Sequence, residues 1–261
     1  MSIDRPQRKN QGLRKPVFTF LRACSQTLGE GKAKEVVRRV ILQYKQNVPR
    51  EFMINRGDVV IQVGTPQVET IERIANCIGP NGRAIIIEPE QANVIRLCKR
   101  LKEIACNNIE VVQKAAWHEA SHLEFLVSQK WSGNHRLKND AIVHDNDLRE
   151  REEGGDYQVT WVEADTVENI ARQMNIHQAN YIEITVNGAE FQVLQGVGAL
   201  LQQTKRLFVK GHAREKGSQQ PINIKIQKFL ADHGFQTQRT KPVRSHSQEW
   251  GVKEGDVYGW R

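Results

Sequence analysis

The chain has 261 residues, 39% of them hydrophobic and 26% charged, with a formal net charge of +8. Residues 1–50 hold 12 basic and 3 acidic side chains and residues 51–261 hold 26 and 27, so the whole excess lies in the first fifth. Evenly spread charge of the kind that coats nucleic acid is therefore excluded, as are a disordered composition and any apolar run near the ~20 residues of a membrane span.

Residues 1–16 carry Arg5, Arg8, Lys9, Arg14 and Lys15 between two prolines and read as a flexible tail. It lacks the apolar stretch and small-residue cleavage site of a signal peptide. Residues 17–28 suit a short helix. Residues 32–46 suit a better one, with Val36, Val37, Val40, Ile41 and Tyr44 at helical spacing. The spacing thus predicts a basic helical extension over 1–50 and a second domain over 51–261. In that domain Val59–Val63 reads as a strand, 68–78 as a helix ending at Gly79-Pro80-Asn81-Gly82, and Ala84–Ile87 as a strand. A helix follows from Ala92 to about Ala105, then a strand at Ile109–Val112. Leu123–Val127 and Val159–Val162 read as strands flanking a polar insertion at about 128–157. Its stretch 139–156 holds seven acids and two arginines and reads as a disordered loop or a lid. The alternation resumes with a helix at 166–174, a strand at Tyr181–Val186, a helix at 189–201, a strand at Leu207–Lys210, a helix at about 222–233, and strands near 235–240 and 257–261. Near-continuous apolar strands alternating with helices predict a doubly wound, mostly parallel α/β sheet, and the late strand pair predicts an antiparallel edge strand.

In such a sheet ligands bind at the carboxyl ends of the strands, where the strand order reverses. Gly64 ends the first strand. It serves either a plain turn or the close approach of a ligand to the backbone. Glu88 ends the second strand in IIIEPE, 24 residues further on. An acid there can accept both hydroxyls of a ribose or cap the following helix. The strand YIEITVNGAE ends in Asn187-Gly188. Asn187 could bond an acceptor hydroxyl or form a left-handed turn. Trp117 after the third strand could flank an adenine or pack in the core. Asp165 reads as a helix N-cap. His118 and His122, four apart, would share a metal only on a helix, and the local pattern is turn and strand, so no metal site is expected. The four cysteines form no C-x-x-C pair and suit a reducing, cytoplasmic setting.

Together these stretches resemble the FkbM-type methyltransferases. The matches are Gly57-Asp58-Val59-Val60-Ile61, Gly64, Glu88-Pro89, Ile184, Val186, Gly188-Ala189-Glu190, Val193-Leu194 and Gly196. RLFVKGH at 206–212 is similar to a later family strand, with His212 kept. The resemblance covers about residues 55–240 and implies a Rossmann-like methyltransferase fold that uses S-adenosylmethionine. It places cofactor contacts at Gln62, Gly64, Thr65, Glu88, Pro89, Ala116 and Trp117. His212 and Asn187 become the catalytic candidates, His212 as a base. The departures fall on charged positions. Gln62 and Thr185 stand for acids, Glu183 for a lysine, Asn187 and Lys210 for glutamates, and Val68 for a glycine. A glutamine at 62 cannot pair with the cofactor's ammonium, a loss of about 1.5–3 kcal/mol.

Two functions follow from the resemblance. One is methyl transfer to an oxygen of a sugar, glycan or small metabolite. The other is a degenerate fold acting as a binding or structural subunit, its basic arm docking on protein, RNA or anionic lipid. A nucleic-acid methyltransferase fits less well, given the near-neutral body and the absence of an N/D-P-P-Y/F motif.

Overall fold

The main sheet of residues 54–261 is built from the β-branched runs. The computed structural model describes residues 37, 54–64, 67–130, 135–138, 142–144, 156–211, 213–215, 221–240, 243–244, 252–253 and 255–261. The helices predicted at 17–28 and 32–46, apart from Val37, lie outside the described residues, as do Thr65, His212 and most of the acidic stretch.

In chain order the described elements are β1 (Val59–Val63), α1 (Val68–Ile78), β2 (Arg83–Ile87), α2 (Gln91–Glu103), β3 (Ile109–Val112), β4 (Ala115–Trp117), β5 (Ser121–Ser128), β6 (Arg136–Leu137), β7 (Ile142–His144) and β8 (Tyr157–Thr166). Then follow α3 (Val167–Gln173), β9 (Ala179–Ile184), α4 (Glu190–Gln195), a 3-10 helix (Gly198–Gln203), β10 (Thr204–Val209), β11 (Ala213–Glu215), α5 (Ile222–Asp232), β12 (Gln236–Arg239), β13 (Val243–Arg244), β14 (Val252–Lys253) and β15 (Val257–Trp260). Seven strands form the main sheet in the order β12-β15-β10-β9-β1-β2-β3. Neighbours from β3 to β10 pair in parallel, and β15 runs antiparallel between β10 and β12. The antiparallel strand thus stands one place in from the edge, with β12 outermost.

Parallel strands covered on both faces are mostly apolar, and so are these. Val60, Ile61 and Val63 of β1 and all of Ala84–Ile87 are buried. Ile61, Val63, Ile85, Ile87, Ile182 and Ile184 belong to one continuous core cluster. The alternate positions Gln62 and Glu183 pair in register and share the opposite face. Arg73 of α1 reaches Glu183 at 3.2 Å, so that face is the one α1 covers. Tyr181 also donates to Glu183, at 3.0 Å. Burial pushes the Tyr181 hydroxyl well above its usual range. Burial opposes the charge of Arg73, yet Glu183 outweighs it and raises the guanidinium further.

The chain winds β1-β2-β3 to one side and then returns to place β9 on the other side of β1. The strand order therefore reverses between β1 and β9, and a crevice opens at their carboxyl ends.

The middle of the chain departs from the alternation. The short strands read at 123–127 and 159–162 are parts of β5 and β8, which pair antiparallel along eight residues. With β4 and β6 they form a separate sheet, β4-β8-β5-β6. Backbone pairing extends these strands past their apolar centres into polar sequence. The 189–201 helix divides into α4 and the 3-10 helix. Gly198 is left-handed (φ 56°), and a side chain at Gly196 would meet the Trp117 carbonyl. Among the described residues no helix is long and apolar enough to cross a membrane.

Asp165 is not the cap of α3. Thr166 is, its hydroxyl accepting from Asn169 N–H at 3.0 Å. Asp165 lies one residue earlier and accepts from Thr166 N–H at 2.8 Å and Asn169 Nδ2 at 2.9 Å. Lys114 Nζ is 3.6 Å from it. Burial disfavours its charge, but these donors outweigh burial and hold its carboxyl below the usual range. A depressed carboxylate contributes stability at neutral pH that is lost as pH falls through the folded-state pKa. Asp165→Asn is therefore expected to melt lower than the parent at pH 7, with the gap closing below about pH 4. A gap that stays constant from pH 7 to pH 3 would show that the charge is not what stabilises.

Candidate functional site

The crevice at β1, β2 and β9 holds a pocket of about 560 Å³, open space at its mouth included. Its floor is the ends of three strands: Val63-Gly64, Ile87-Glu88-Pro89 and Thr185-Val186-Asn187. Its roof comes from the small sheet: Phe125 of β5 and His135-Arg136-Leu137 at β6. Residues 135–137 of the polar insertion thus line the site.

Gly64 is left-handed, with φ 72°. A Cβ there would sit 2.7 Å from the Thr185 carbonyl. The glycine therefore lets two strand ends touch, and its N–H donates to Ile87 O at 2.9 Å. Beneath it Gln62, buried, donates from Nε2 to Gly64 O at 3.0 Å and to Thr185 Oγ1 at 2.9 Å. The Thr185 hydroxyl in turn donates to the Gly64 carbonyl. The two positions where the resemblance implies acids are thus a neutral couple that bonds to itself. Of the couple's side-chain atoms, Gln62 Oε1, buried, has no partner among the described residues.

Glu88 is buried and lines the pocket. Its Oε1 accepts from Asn93 Nδ2 and from Glu90 N–H, each at 3.1 Å. Arg96 holds Asn93 in turn, donating to Oδ1 at 2.6 Å. Capping of α2 falls to Glu90, which accepts from Ala92 N–H at 2.9 Å and Asn93 N–H at 2.5 Å. The helix-capping alternative for Glu88 is thereby taken by the next acid, and Glu88 is left facing the pocket.

Asn187 lines the pocket, and its Nδ2 donates to the His135 carbonyl at 2.9 Å, clipping the roof to the end of β9. Ala116 and Pro89 also line it. Trp117 does not. Its ring lies against His118 with centroids 5.0 Å apart, and its other neighbours are the core and Gly196. Trp117 thus packs against the core, while Ala116 beside it reaches the pocket. His118 lies in the turn after β4 and His122 on β5, so the pair shares no helix face. Thr65 and His212 are outside the described residues. The sequence reading missed Asn93, Phe125 and His135. Asn93 carried a signal: it is a polar residue on the buried side of an amphipathic helix, five residues after Glu88.

The site combines three features at one place. It has a glycine turn, an acid 24 residues on, and a pocket at the strand-order reversal. Residues 62–237 match the FkbM methyltransferase domain. The chain belongs to the FkbM methyltransferase family. The match begins at Gln62 and does not include residues 1–50. The fold agrees with that of an FkbM methyltransferase from Methylobacillus flagellatus KT, at 11% identity and TM-score 0.53 over 94% of this chain. This chain spans 58% of the length of that structure. Fibrillarin from Aeropyrum pernix, solved with S-adenosyl-L-methionine, matches at 11% identity, 86% of this chain, 74% of that one and TM-score 0.45. A SAM dependent methyltransferase from Aquifex aeolicus matches at 12% identity, 93% and 97% coverage and TM-score 0.41. No curated protein matches the sequence.

Of the residues the resemblance assigns to the cofactor, Gly64, Glu88, Pro89 and Ala116 line the FkbM pocket and Gln62 and Trp117 do not, and the buried Glu88 carboxylate is a hydrogen-bond acceptor of the kind a ribose-bearing cofactor needs.

Proposed function

We propose that this FkbM protein transfers a methyl group from S-adenosylmethionine to an oxygen of a sugar or small metabolite. The observation that carries the reading is Glu88, a buried carboxylate braced by Asn93 at the wall of the crevice between β1 and β9. Bound there, the cofactor would supply a methyl group on a sulfonium, and methyl transfer needs an acceptor oxygen held in line. Glu88 would hold the ribose, with Gly64, Pro89 and Ala116 against the nucleoside, and Thr65 is proposed as a further contact from the sequence alone. The roof, clipped by Asn187, would exclude water, and His212 is the proposed base for an acceptor that must lose a proton. Free thiols at Cys77, Cys98 and Cys106 suit the cytoplasm.

The Gln62–Thr185 couple favours a second reading. A pocket that has lost both charges, and the attraction they would offer an ammonium, suits a fold kept for binding. The basic arm over 1–50 would then carry the function, docking on protein, RNA or anionic lipid.

Calorimetric titration separates the two. The first reading expects heat on adding S-adenosylmethionine or S-adenosylhomocysteine, and silence with both at millimolar concentration overturns it. Deleting residues 1–50 then sorts the partners. Salt-dependent RNA affinity that vanishes with the arm identifies nucleic acid. An arm needed for assembly with a protein, yet indifferent to RNA, identifies a subunit.

A further inference from the structure

The roof of the pocket carries a histidine whose hydrogen-bonding role is set by its neighbours. His135 lines the pocket edge-on to Phe125, with ring centroids 6.3 Å apart. The backbone N–H of Ser128, at the end of β5, donates to His135 Nδ1 at 3.0 Å. A backbone N–H can only donate, so Nδ1 must be the bare nitrogen, and in the neutral ring the proton sits on Nε2. The two ring nitrogens face apart, so Nε2–H points away from β5 and has no described protein group to meet. The backbone is pinned as well, because the His135 carbonyl takes the Asn187 amide. Protonating the ring would put two donors face to face at Nδ1.

We propose that His135 is a binding residue of this site, a fixed hydrogen-bond donor whose Nε2–H meets the oxygen of a ribose hydroxyl while Glu88 accepts the hydrogen bond that hydroxyl donates. The inference rests on the nucleoside reading of the pocket and deepens it. A hydroxyl donates once and accepts twice. A carboxylate below it can only accept, so the lone pairs need a donor from elsewhere, and the roof supplies one. Donor above and acceptor below select a hydroxyl over a carbonyl, which lacks the proton, and over an ammonium, which lacks the lone pair. Burial keeps the ring below the usual histidine range. The charged groups facing it from α2 are Glu90, which opposes that shift, and Arg96, which adds to it.

Two measurements test this. Nitrogen-15 NMR of the histidines in the ligand-free protein at neutral pH should find His135 protonated on Nε2, and a proton on Nδ1 overturns the proposal. Calorimetry then compares the parent, His135→Gln and His135→Leu against S-adenosylhomocysteine, adenosine, 2′-deoxyadenosine and 3′-deoxyadenosine. Glutamine carries its Nε2 to about the same point as the histidine and should stay within about threefold of the parent. Leucine should lose about five- to tenfold for S-adenosylhomocysteine and adenosine, the worth of one neutral hydrogen bond. It should bind one of the two deoxy nucleosides as the parent does, because that ligand lacks the hydroxyl. Equal affinity of parent and His135→Leu for all four ligands overturns the His135 role alone. So does an equal loss for all four. A parent that binds none of them overturns the nucleoside reading itself.

Discussion

Replacing Asp58 with alanine should lower the free energy of unfolding by about 3–5 kcal/mol. Asp58 precedes β1 and is 7% exposed. Its Oδ2 lies 2.6 Å from an Arg206 amino group and also accepts from Asn55 N–H at 2.7 Å. Arg206 sits on β10, and its Nε donates to the Asn180 carbonyl on β9 at 3.1 Å. Asn180 Oδ1 accepts in turn from Val59 N–H at 2.8 Å. One buried ion pair thus ties β1, β9 and β10 together at their amino ends, away from the pocket. Alanine takes the Asp58 carboxylate away from the buried guanidinium. The penalty of that change exceeds the modest net worth of the pair itself. Urea unfolding should show a lower midpoint with an unchanged slope. Asp58→Asn keeps an acceptor oxygen and should lose less. The double variant Asp58→Leu, Arg206→Met should recover most of the alanine deficit, because both desolvation penalties vanish together. An alanine deficit below about 1 kcal/mol, or a double variant weaker than either single one, would show that the pair is not stressed by burial. The asparagine variant should keep its cofactor affinity, since its change lies at the far end of the strands.

The parallel core was legible because burial on both faces leaves no freedom in residue type. Val59–Val63 stands where it was read, and Ala84–Ile87 needs one residue more. The small sheet was not legible. In β8 the polar or exposed residues Gln158, Thr160 and Glu163 interleave with Val159 and Trp161, which are 51% and 66% exposed. A strand with no fully buried face along its first half carries little pattern, and its length is set by its partner β5 instead. His135 lay in that same polar stretch. Its role depends on the backbone of Ser128 and a side chain 52 residues away. Contacts of that kind leave no trace in spacing.

At the site the acids were legible and their division of labour was not. EPE offers two carboxylates at a strand-to-helix turn, and either could cap. Backbone geometry decides, since Glu90 stands at the N-cap and Glu88 two residues earlier. At DT the same ambiguity resolves one residue later than read, on Thr166. Gln62 and Thr185, single departures when taken one at a time, prove to be one interaction. An acid at 62 would face the Gly64 carbonyl and the Thr185 hydroxyl, so restoring one charge alone removes the donor that now satisfies both.

Glu88→Gln should weaken S-adenosylhomocysteine binding about 100-fold, the largest effect expected of any pocket substitution. Glutamine is nearly the same shape, so the pocket stays formed. Its carbonyl oxygen can still accept from Asn93 and the Glu90 N–H. The other oxygen becomes an NH₂ group, and a donor then faces ribose hydroxyls that need an acceptor. One charge-assisted bond lost is worth about 1.5–3 kcal/mol, and an opposed donor adds to it. A total near 3 kcal/mol is about two decades in affinity. Glu88→Asp keeps the charge but draws it back by one methylene, and should fall between. Asn93→Ala removes the brace and not the acceptor, so its loss should be smaller, about three- to tenfold. The ordering separates a ribose acceptor from a merely structural acid. A structural acid would lower the melting temperature in proportion to the affinity. A ribose acceptor lets Glu88→Gln melt within a few degrees of the parent while its binding is all but gone. Full affinity in Glu88→Gln would place the nucleoside elsewhere and leave this carboxylate without a function.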